Sequence, residues 1–218
     1  AAAPARDARA GVREMLGHRS LLLAMLLIAG FWVIFSQFQF SLPVVVTALD
    51  PAGGTTTIAA MFALNGGLIV LFSLPLTRAL EKRPAGAVMQ AGFMVTLLGY
   101  LLLAAVQALR VPQVWIFVPI VVLTVGEILF NTFANTHIAA IAPPHRLATY
   151  LGLLGLLGGL GTALGNTLSG SLLPPLLAAG KPWLVWVVFA SVAALPLAAT
   201  LGLQRRSARR AALRPANG

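Results

Sequence analysis

The sequence predicts an all-α membrane protein with six transmembrane helices. Of its 218 residues, 59% are hydrophobic and only 9% are charged, whereas soluble globular proteins carry about 25% charged residues. The charges are concentrated outside six long apolar segments, and about 20 apolar residues are enough to cross the hydrocarbon core of a bilayer. Residues 20–203 are therefore expected to form a transmembrane bundle.

The six spans follow one another with short turns between them. They are expected at residues 20–47, 56–76, 85–109, 112–141, 148–173 and 182–203. Pro43 should kink the first span because proline removes a backbone donor, and Pro174-Pro175 should end the fifth. Residues 1–19 form a basic arm that begins with Ala rather than Met, so we expect it to link the spans to a preceding segment.

The basic residues predict the orientation of the chain. One side of the membrane receives thirteen of them: four in the arm, five in the basic tail at residues 204–218, and Arg78, Lys82, Arg83 and Arg146 in the turns. The other side receives Arg110 and Lys181. By the positive-inside rule both termini are cytoplasmic, which fits a multi-pass protein of the cell (inner) membrane. No aromatic residues are interleaved with the charges to stack on bases, so we expect no nucleic-acid partner.

Glu127 is the only acidic residue in the interior of any span. A carboxyl group in hydrocarbon costs about 2.5–3.5 kcal/mol on insertion scales, so it needs a partner or a watery cavity. Asn131 and Asn135 follow at spacings of four, which places all three side chains on roughly one helical face. We therefore consider them candidates for binding a substrate or a proton.

Other polar side chains suggest which spans surround a cavity. Gln37 lies in the first span and Asn65 in the second, whereas the third and sixth spans are nearly featureless through their middles. Helices around a polar cavity need a hydrophilic face, so the first, second, fourth and fifth spans are expected to line it. Gln39 lies about 200° from Gln37 on a helix, and the two cannot both face one cavity unless Pro43 distorts the turn. Helix packing remains the alternative role for each amide, and a structural carboxyl is the alternative for Glu127.

The fifth span is rich in glycine. Gly155, Gly159, Gly161 and Gly165 have the spacing of small residues that lets helices approach closely. Static packing and sliding of one helix on another both need such a surface. The chain contains no cysteine, so thiolate metal ligands and thiol nucleophiles are excluded. We expect no metal and no cofactor.

Short motifs resemble those of a known family. Gly126-Glu127 in the fourth span is followed by Ala142-Pro143, Arg146 and Tyr150-Leu151-Gly152. This run is similar to the tenth helix and following loop of drug:proton antiporters and peptide transporters of the major facilitator superfamily. The resemblance implies the carboxy-terminal half of a twelve-helix transporter, built as two three-helix repeats and completed by a missing amino-terminal half. It also implies alternating access around a central cavity.

The motifs depart from the family in two places. Thr77 and Pro84 stand where the superfamily's cytoplasmic loop motif has glycines, as in other degenerate second halves. Asn131-Thr132 stands where the peptide transporters have Ser-Pro. The second departure favours the drug-efflux group. The resemblance thus implies proton-coupled efflux of small amphipathic or cationic compounds, with a small-molecule substrate, protons and the lipid bilayer as partners.

Three alternatives remain open from the sequence. The first is proton-coupled uptake of peptides or other small solutes, and the second is a six-helix membrane subunit that transports nothing. The third is a membrane enzyme, for which Ser169 and His137 are the only nucleophile and base that could pair. These two residues are expected near opposite faces of the membrane, so we expect no enzymatic activity.

Overall fold

The computed structural model describes residues 19–212, and all the regular structure in this part of the chain is helical. The helices are α1 (Arg19–Gln39), α2 (Ser41–Leu49), α3 (Gly54–Leu80), α4 (Ala85–Ala108), α5 (Phe117–Ile141), α6 (Leu147–Ala178) and α7 (Leu184–Ala212), with short 3-10 turns at Gln113–Ile116 and Pro144–Arg146. The all-α prediction is confirmed. Most of the predicted arm and the end of the predicted tail lie outside the described residues.

Five segments of the described chain are long and apolar enough to cross a membrane. They are Leu21–Leu49, Gly54–Leu80, Ala85–Ala108, Gln113–Ala140 and Leu147–Ala178. The sixth predicted span corresponds to α7, whose apolar part, Leu184–Ala199, is shorter. The helix itself continues to Ala212, into the basic segment predicted as a tail.

Proline breaks one helix and not another. The first span divides at Phe40, between α1 and α2. Pro43 has no N–H to donate to the carbonyl of Gln39, four residues earlier, which explains why the break falls there. The prediction that Pro174-Pro175 would end the fifth span was wrong, because α6 runs through both prolines to Ala178. The carbonyls that lose a donor are those of residues 170 and 171, and both residues are exposed.

Glycines set the closest helix contacts in the bundle. A Cβ on Gly92 of α4 would lie 2.6 Å from the backbone nitrogen of Phe130 in α5. A Cβ on Gly126 of α5 would lie 2.8 Å from the nitrogen of Thr96 in α4. The two backbones therefore touch, and their glycines cannot be enlarged without separating the helices.

An aromatic row along α1 fills the centre of the bundle. Phe31 stacks on Phe130 of α5, with ring centroids 3.7 Å apart, and on Phe35, at 5.4 Å. Phe38 continues the row and meets Phe62 of α3 edge-on. This row holds α1 against α5, while α1 also packs against α6 and α7.

The membrane-spanning segments differ in how much of their surface the described bundle buries. The segments of α3 and α6 are the most exposed of the five, whereas that of α4 is about as buried as that of α5. The third predicted span, α4, buries one face against α5 and α7 and exposes an apolar stripe that includes Met94, Leu98 and Leu101.

Candidate functional site

Glu127 is joined to Asn65 at the contact between α5 and α3. The Asn65 side-chain amide donates hydrogen bonds to Glu127 Oε2 at 2.9 Å and to Thr124 Oγ1 at 3.0 Å. The Thr124 hydroxyl in turn donates to the Ile120 carbonyl at 2.8 Å. Thr124 and Glu127 are three residues apart and so share a helical face. We call Asn65, Thr124 and Glu127 the amide–carboxyl cluster.

The surroundings of this cluster are open on the α3 side and polar without being cationic. A Cβ on Gly66 or Gly67, next to Asn65, would meet nothing within 4 Å. Glu127 itself is partly buried. Within the described residues its one recorded side-chain partner is a neutral amide, and no Lys, Arg or His forms an ion pair with it. The carboxyl group thus has a neutral amide as its partner and no countercharge among the described residues.

Asn131 and Asn135 lie farther along α5 and do not join the cluster. The Asn135 side chain is exposed and donates to the backbone carbonyl of Asn131 at 3.2 Å. Asn131 is half-buried. Both residues continue the helical line from Glu127, but the hydrogen bonds of the cluster run across to α3 and not along α5.

Gln37 belongs to a different polar cluster, at the break between α1 and α2. It is fully buried, and its Nε2 donates to the Val33 carbonyl and to Ser36 Oγ, both at 2.9 Å. Its Oε1 accepts from the Ser41 hydroxyl at 2.5 Å. The Ser41 hydroxyl has one proton, which it donates to Gln37. Ser169 of α6 must therefore donate the hydrogen bond that joins the two serines.

This arrangement fits the packing alternative for Gln37. Its side-chain oxygen and nitrogen are both engaged within the bundle, and none of its recorded bonds reaches the amide–carboxyl cluster. Gln39 is exposed, as the helical spacing from Gln37 requires. The buried serines tie α6 to the broken first span at the point where backbone hydrogen bonding is interrupted.

We predict that Ser169→Ala destabilises the protein by about 1 kcal/mol, because the buried Ser41 oxygen then loses a hydrogen-bond donor. Ser171→Ala is the matched control: its hydroxyl is exposed and bonds only to the Leu168 carbonyl of the same helix, at 2.8 Å. Heat-induced unfolding of the two purified variants should show a lower midpoint for Ser169→Ala alone. Equal midpoints would contradict a stabilising role for this cluster.

The four predicted packing glycines divide between two faces of α6. A Cβ on Gly161 would lie 2.6 Å from the Ala29 carbonyl oxygen, and one on Gly165 would lie 2.7 Å from Gln37 Nε2. These two glycines are therefore buried against α1. A Cβ on Gly155 or Gly159 would meet nothing within 4 Å, so these two do not pack against any described part of the chain.

His137 and Ser169 do not form a catalytic pair. The His137 ring lies against the start of α4, where a Cβ on Gly86 would be 2.9 Å from its Cε1. Ser169 is buried and bonded to Ser41. Within residues 19–212, no group of three or more His, Cys, Asp or Glu side chains could hold a metal ion.

Comparison with known proteins identifies the family. A sequence profile of the Major Facilitator Superfamily matches residues 1–166. The chain belongs to this superfamily. The superfamily assignment agrees with the resemblance carried by Gly126-Glu127 and the motifs that follow it, and with the apolar helices of a multi-pass membrane protein.

Curated relatives of this superfamily member include multidrug resistance proteins named MdtH. The chain is 27% identical over 185 residues to the protein of Aeromonas salmonicida (strain A449), an alignment that covers 84% of this chain and 45% of the relative. It is 26% identical over 198 residues to that of Enterobacter sp. (strain 638), covering 90% and 47%. The chain thus spans slightly less than half the length of these relatives. No solved structure matches it.

Two features of this superfamily chain were missed by sequence reasoning. Thr124 shares the Asn65 amide with Glu127, and its spacing of three residues from Glu127 was a usable signal. Ser41 and Ser169 offered no such signal, because their hydrogen bond joins residues 128 positions apart.

Proposed function

We propose that the protein containing this chain is a proton-coupled exporter of small amphipathic or cationic compounds that works by alternating access. In this proposal both termini are cytoplasmic, and a second six-helix half completes the cavity. The observation that carries the proposal is the Glu127 carboxyl, which faces a neutral amide and no countercharge. The names of the relatives, multidrug resistance proteins, support export over uptake.

The amide–carboxyl cluster suggests how a proton and a cation would compete. A carboxylate attracts a cationic compound, whereas a protonated carboxyl does not, so one site binds either a proton or the compound. Exchange of the two across the membrane then follows from alternating access. Within the described residues no hydrogen bond engages Glu127 Oε1, which leaves that oxygen for the proton or for a donor on the compound.

Proton binding by Glu127 would also affect the contact between α3 and α5. The Asn65 amide donates to Glu127 across the contact between α3 and α5, and hydrogen bonds to a charged carboxylate are roughly twice as strong as neutral ones. Proton binding would weaken this connection and release would strengthen it. The position of α3 relative to α5 would therefore respond to whether Glu127 carries a proton.

The direct test is transport by the full-length protein reconstituted in lipid vesicles. A fluorescent lipophilic cation placed outside vesicles with an acidic interior should accumulate, as protons leave in exchange, and a protonophore should abolish the accumulation. Vesicles without protein provide the background. Accumulation of the cation to the same level with and without a pH gradient would contradict proton coupling.

We further predict that Asn65→Leu lowers the proton-driven transport rate by about tenfold, since the loss of a hydrogen bond to a charged group costs about 1.5–3 kcal/mol. Thr77→Val in the same helix is the control, because the Thr77 hydroxyl bonds only to the Ser73 carbonyl of α3, at 2.6 Å. Initial rates in the vesicle assay should fall for Asn65→Leu alone. Equal rates in both variants would remove Asn65 from the site.

A further inference from the structure

A cavity of about 710 Å³ lies at the end of the bundle opposite the Lys82-Arg83 turn. It is formed where α2, α4 and α6 end, beside the turns that lead into α5 and α7. Its wall includes Gln107, Arg110, Lys181 and Trp183, and no aspartate or glutamate lines it. The amide–carboxyl cluster contributes no residue to this wall, so the two sites are separate.

Gln107, which lines this cavity, has an unused hydrogen-bond donor. Its Oε1 accepts a hydrogen bond from the Trp186 indole at 2.8 Å, which fixes the orientation of the amide. Its Nε2 is buried and has no partner among the described residues. Buried polar groups are nearly always paired, so an unpaired donor on a residue that lines a cavity is a candidate partner for an acceptor from outside the described residues.

The two cations of this cavity, Arg110 and Lys181, follow helices that end with the same hydrogen-bond pattern. At the end of α4, Arg110 N–H donates to the Gln107 carbonyl at 3.3 Å and Val111 N–H to the Val106 carbonyl at 3.4 Å. At the end of α6, Gly180 and Lys181 repeat this pattern, at 3.0 and 2.9 Å. Both are Schellman closures, and they hold one cation on each side of the cavity.

Arg110 occupies a backbone position that normally belongs to glycine. Its φ is +51°, and that of Gly180 at the equivalent place in α6 is +66°. A side chain with a Cβ is disfavoured in the left-handed region, so arginine weakens this turn relative to glycine. A non-glycine residue in the left-handed region is an indication of function when its side chain has a task, and here the residue is a cation that lines a cavity.

The residues around the cavity are typical of the membrane surface. Leu109, Val114 and Trp115 are 73%, 66% and 55% exposed, and they lie between the end of α4 and the start of α5. Tryptophan is enriched at the level of the lipid headgroups, as are helix ends. A ligand that occupied this cavity would meet charged donors above exposed apolar side chains.

We propose that this cavity binds the phosphate of an anionic phospholipid, with Arg110, Lys181 and the Gln107 amide as donors and the acyl chains against the exposed apolar residues. The donors suit an anion because arginine and lysine only donate. The nearest acid along the chain, Asp50, is engaged with the Gly53 N–H at 2.8 Å. In the orientation proposed above, the lipid belongs to the outer leaflet.

Thermal unfolding of the full-length protein in detergent tests this site. Dioleoyl phosphatidylglycerol should raise the unfolding midpoint more than dioleoyl phosphatidylcholine does, and its apparent affinity should fall about fivefold for each cation removed, in Arg110→Gln and in Lys181→Gln. Lys82→Gln combined with Arg83→Gln, beside the other end of α4, removes the same total charge as Arg110→Gln combined with Lys181→Gln and should keep the preference for phosphatidylglycerol. An equal loss of the preference for phosphatidylglycerol in this control would overturn the proposal.

Two further variants separate binding from general damage. Arg110→Gly should unfold at a higher midpoint without lipid, since glycine suits the left-handed turn, yet respond less to phosphatidylglycerol. Gln107→Glu keeps an oxygen for the Trp186 indole and replaces the donor, so it should also lose the preference for anionic lipid.

Glycerol 1-phosphate added to the protein in detergent tests whether the bound phosphate belongs to a lipid or to a soluble compound. Stabilisation equal to that by the lipid would overturn the lipid assignment.

Discussion

Replacing Glu127 with glutamine is expected to abolish proton-driven accumulation of substrate in vesicles. Glutamine has nearly the same shape, and its side-chain oxygen can still accept the hydrogen bond from Asn65 that Glu127 receives at 2.9 Å. It cannot bind and release a proton. A gradient of one pH unit can sustain about a tenfold substrate gradient for each proton exchanged, because RT ln 10 is about 1.4 kcal/mol. The variant should sustain none.

A second measurement on the same variant separates coupling from folding. Exchange of labelled for unlabelled substrate without a pH gradient requires only that the loaded protein alternate between its two states. This exchange should persist in Glu127→Gln for a neutral amphipathic substrate and weaken for a cationic one. Glu81→Gln, at an exposed position between α3 and α4, is the control and should transport normally. Unchanged proton-driven transport by Glu127→Gln would remove Glu127 from the mechanism.

The broad architecture was predictable because hydrocarbon imposes simple requirements. Backbone groups in a bilayer core must be paired within the segment, so long apolar runs can only be helices in a chain of this composition. The break near Pro43 was also predictable, since it follows from one missing N–H. The continuation of α6 through Pro174 and Pro175 was not, because it depends on whether the freed carbonyls face open space, which is a property of the folded bundle.

The candidate site was predictable along one helix but not across helices. Helical periodicity relates Glu127 to Thr124 and to Asn131, as any α-helix must. Which residue of α3 faces Glu127 depends on how the two helices pack, and the Asn65 hydrogen bond is therefore a result of the structure. Gln37 shows the same limit, since its type and position suited a cavity, whereas its contacts with Ser36 and Ser41 are internal to the bundle.

The glycines of α6 show why spacing alone does not assign a packing face. Gly155 and Gly159 have the same four-residue spacing as Gly161 and Gly165. The two pairs are offset by six residues, which is 600° of helical rotation, or about 120° from the same face. Only the second pair therefore meets α1, and the first pair faces open space in the described chain.

We expect Gly165→Ala to destabilise the protein by about 1–3 kcal/mol, as inserting a methyl group into a tight contact does. The new Cβ would overlap the Val33 carbonyl oxygen and would lie 2.7 and 2.8 Å from Gln37 Nε2 and Ser36 Oγ. Those atoms are hydrogen-bonded to one another, so α6 would have to move away from α1 and strain the Ser41–Ser169 bond. Gly202→Ala in α7, where a Cβ would meet nothing within 4 Å, should leave the unfolding midpoint unchanged or raise it, because alanine favours helix. A midpoint for Gly165→Ala equal to that of the control would show that α1 and α6 are not held at this distance.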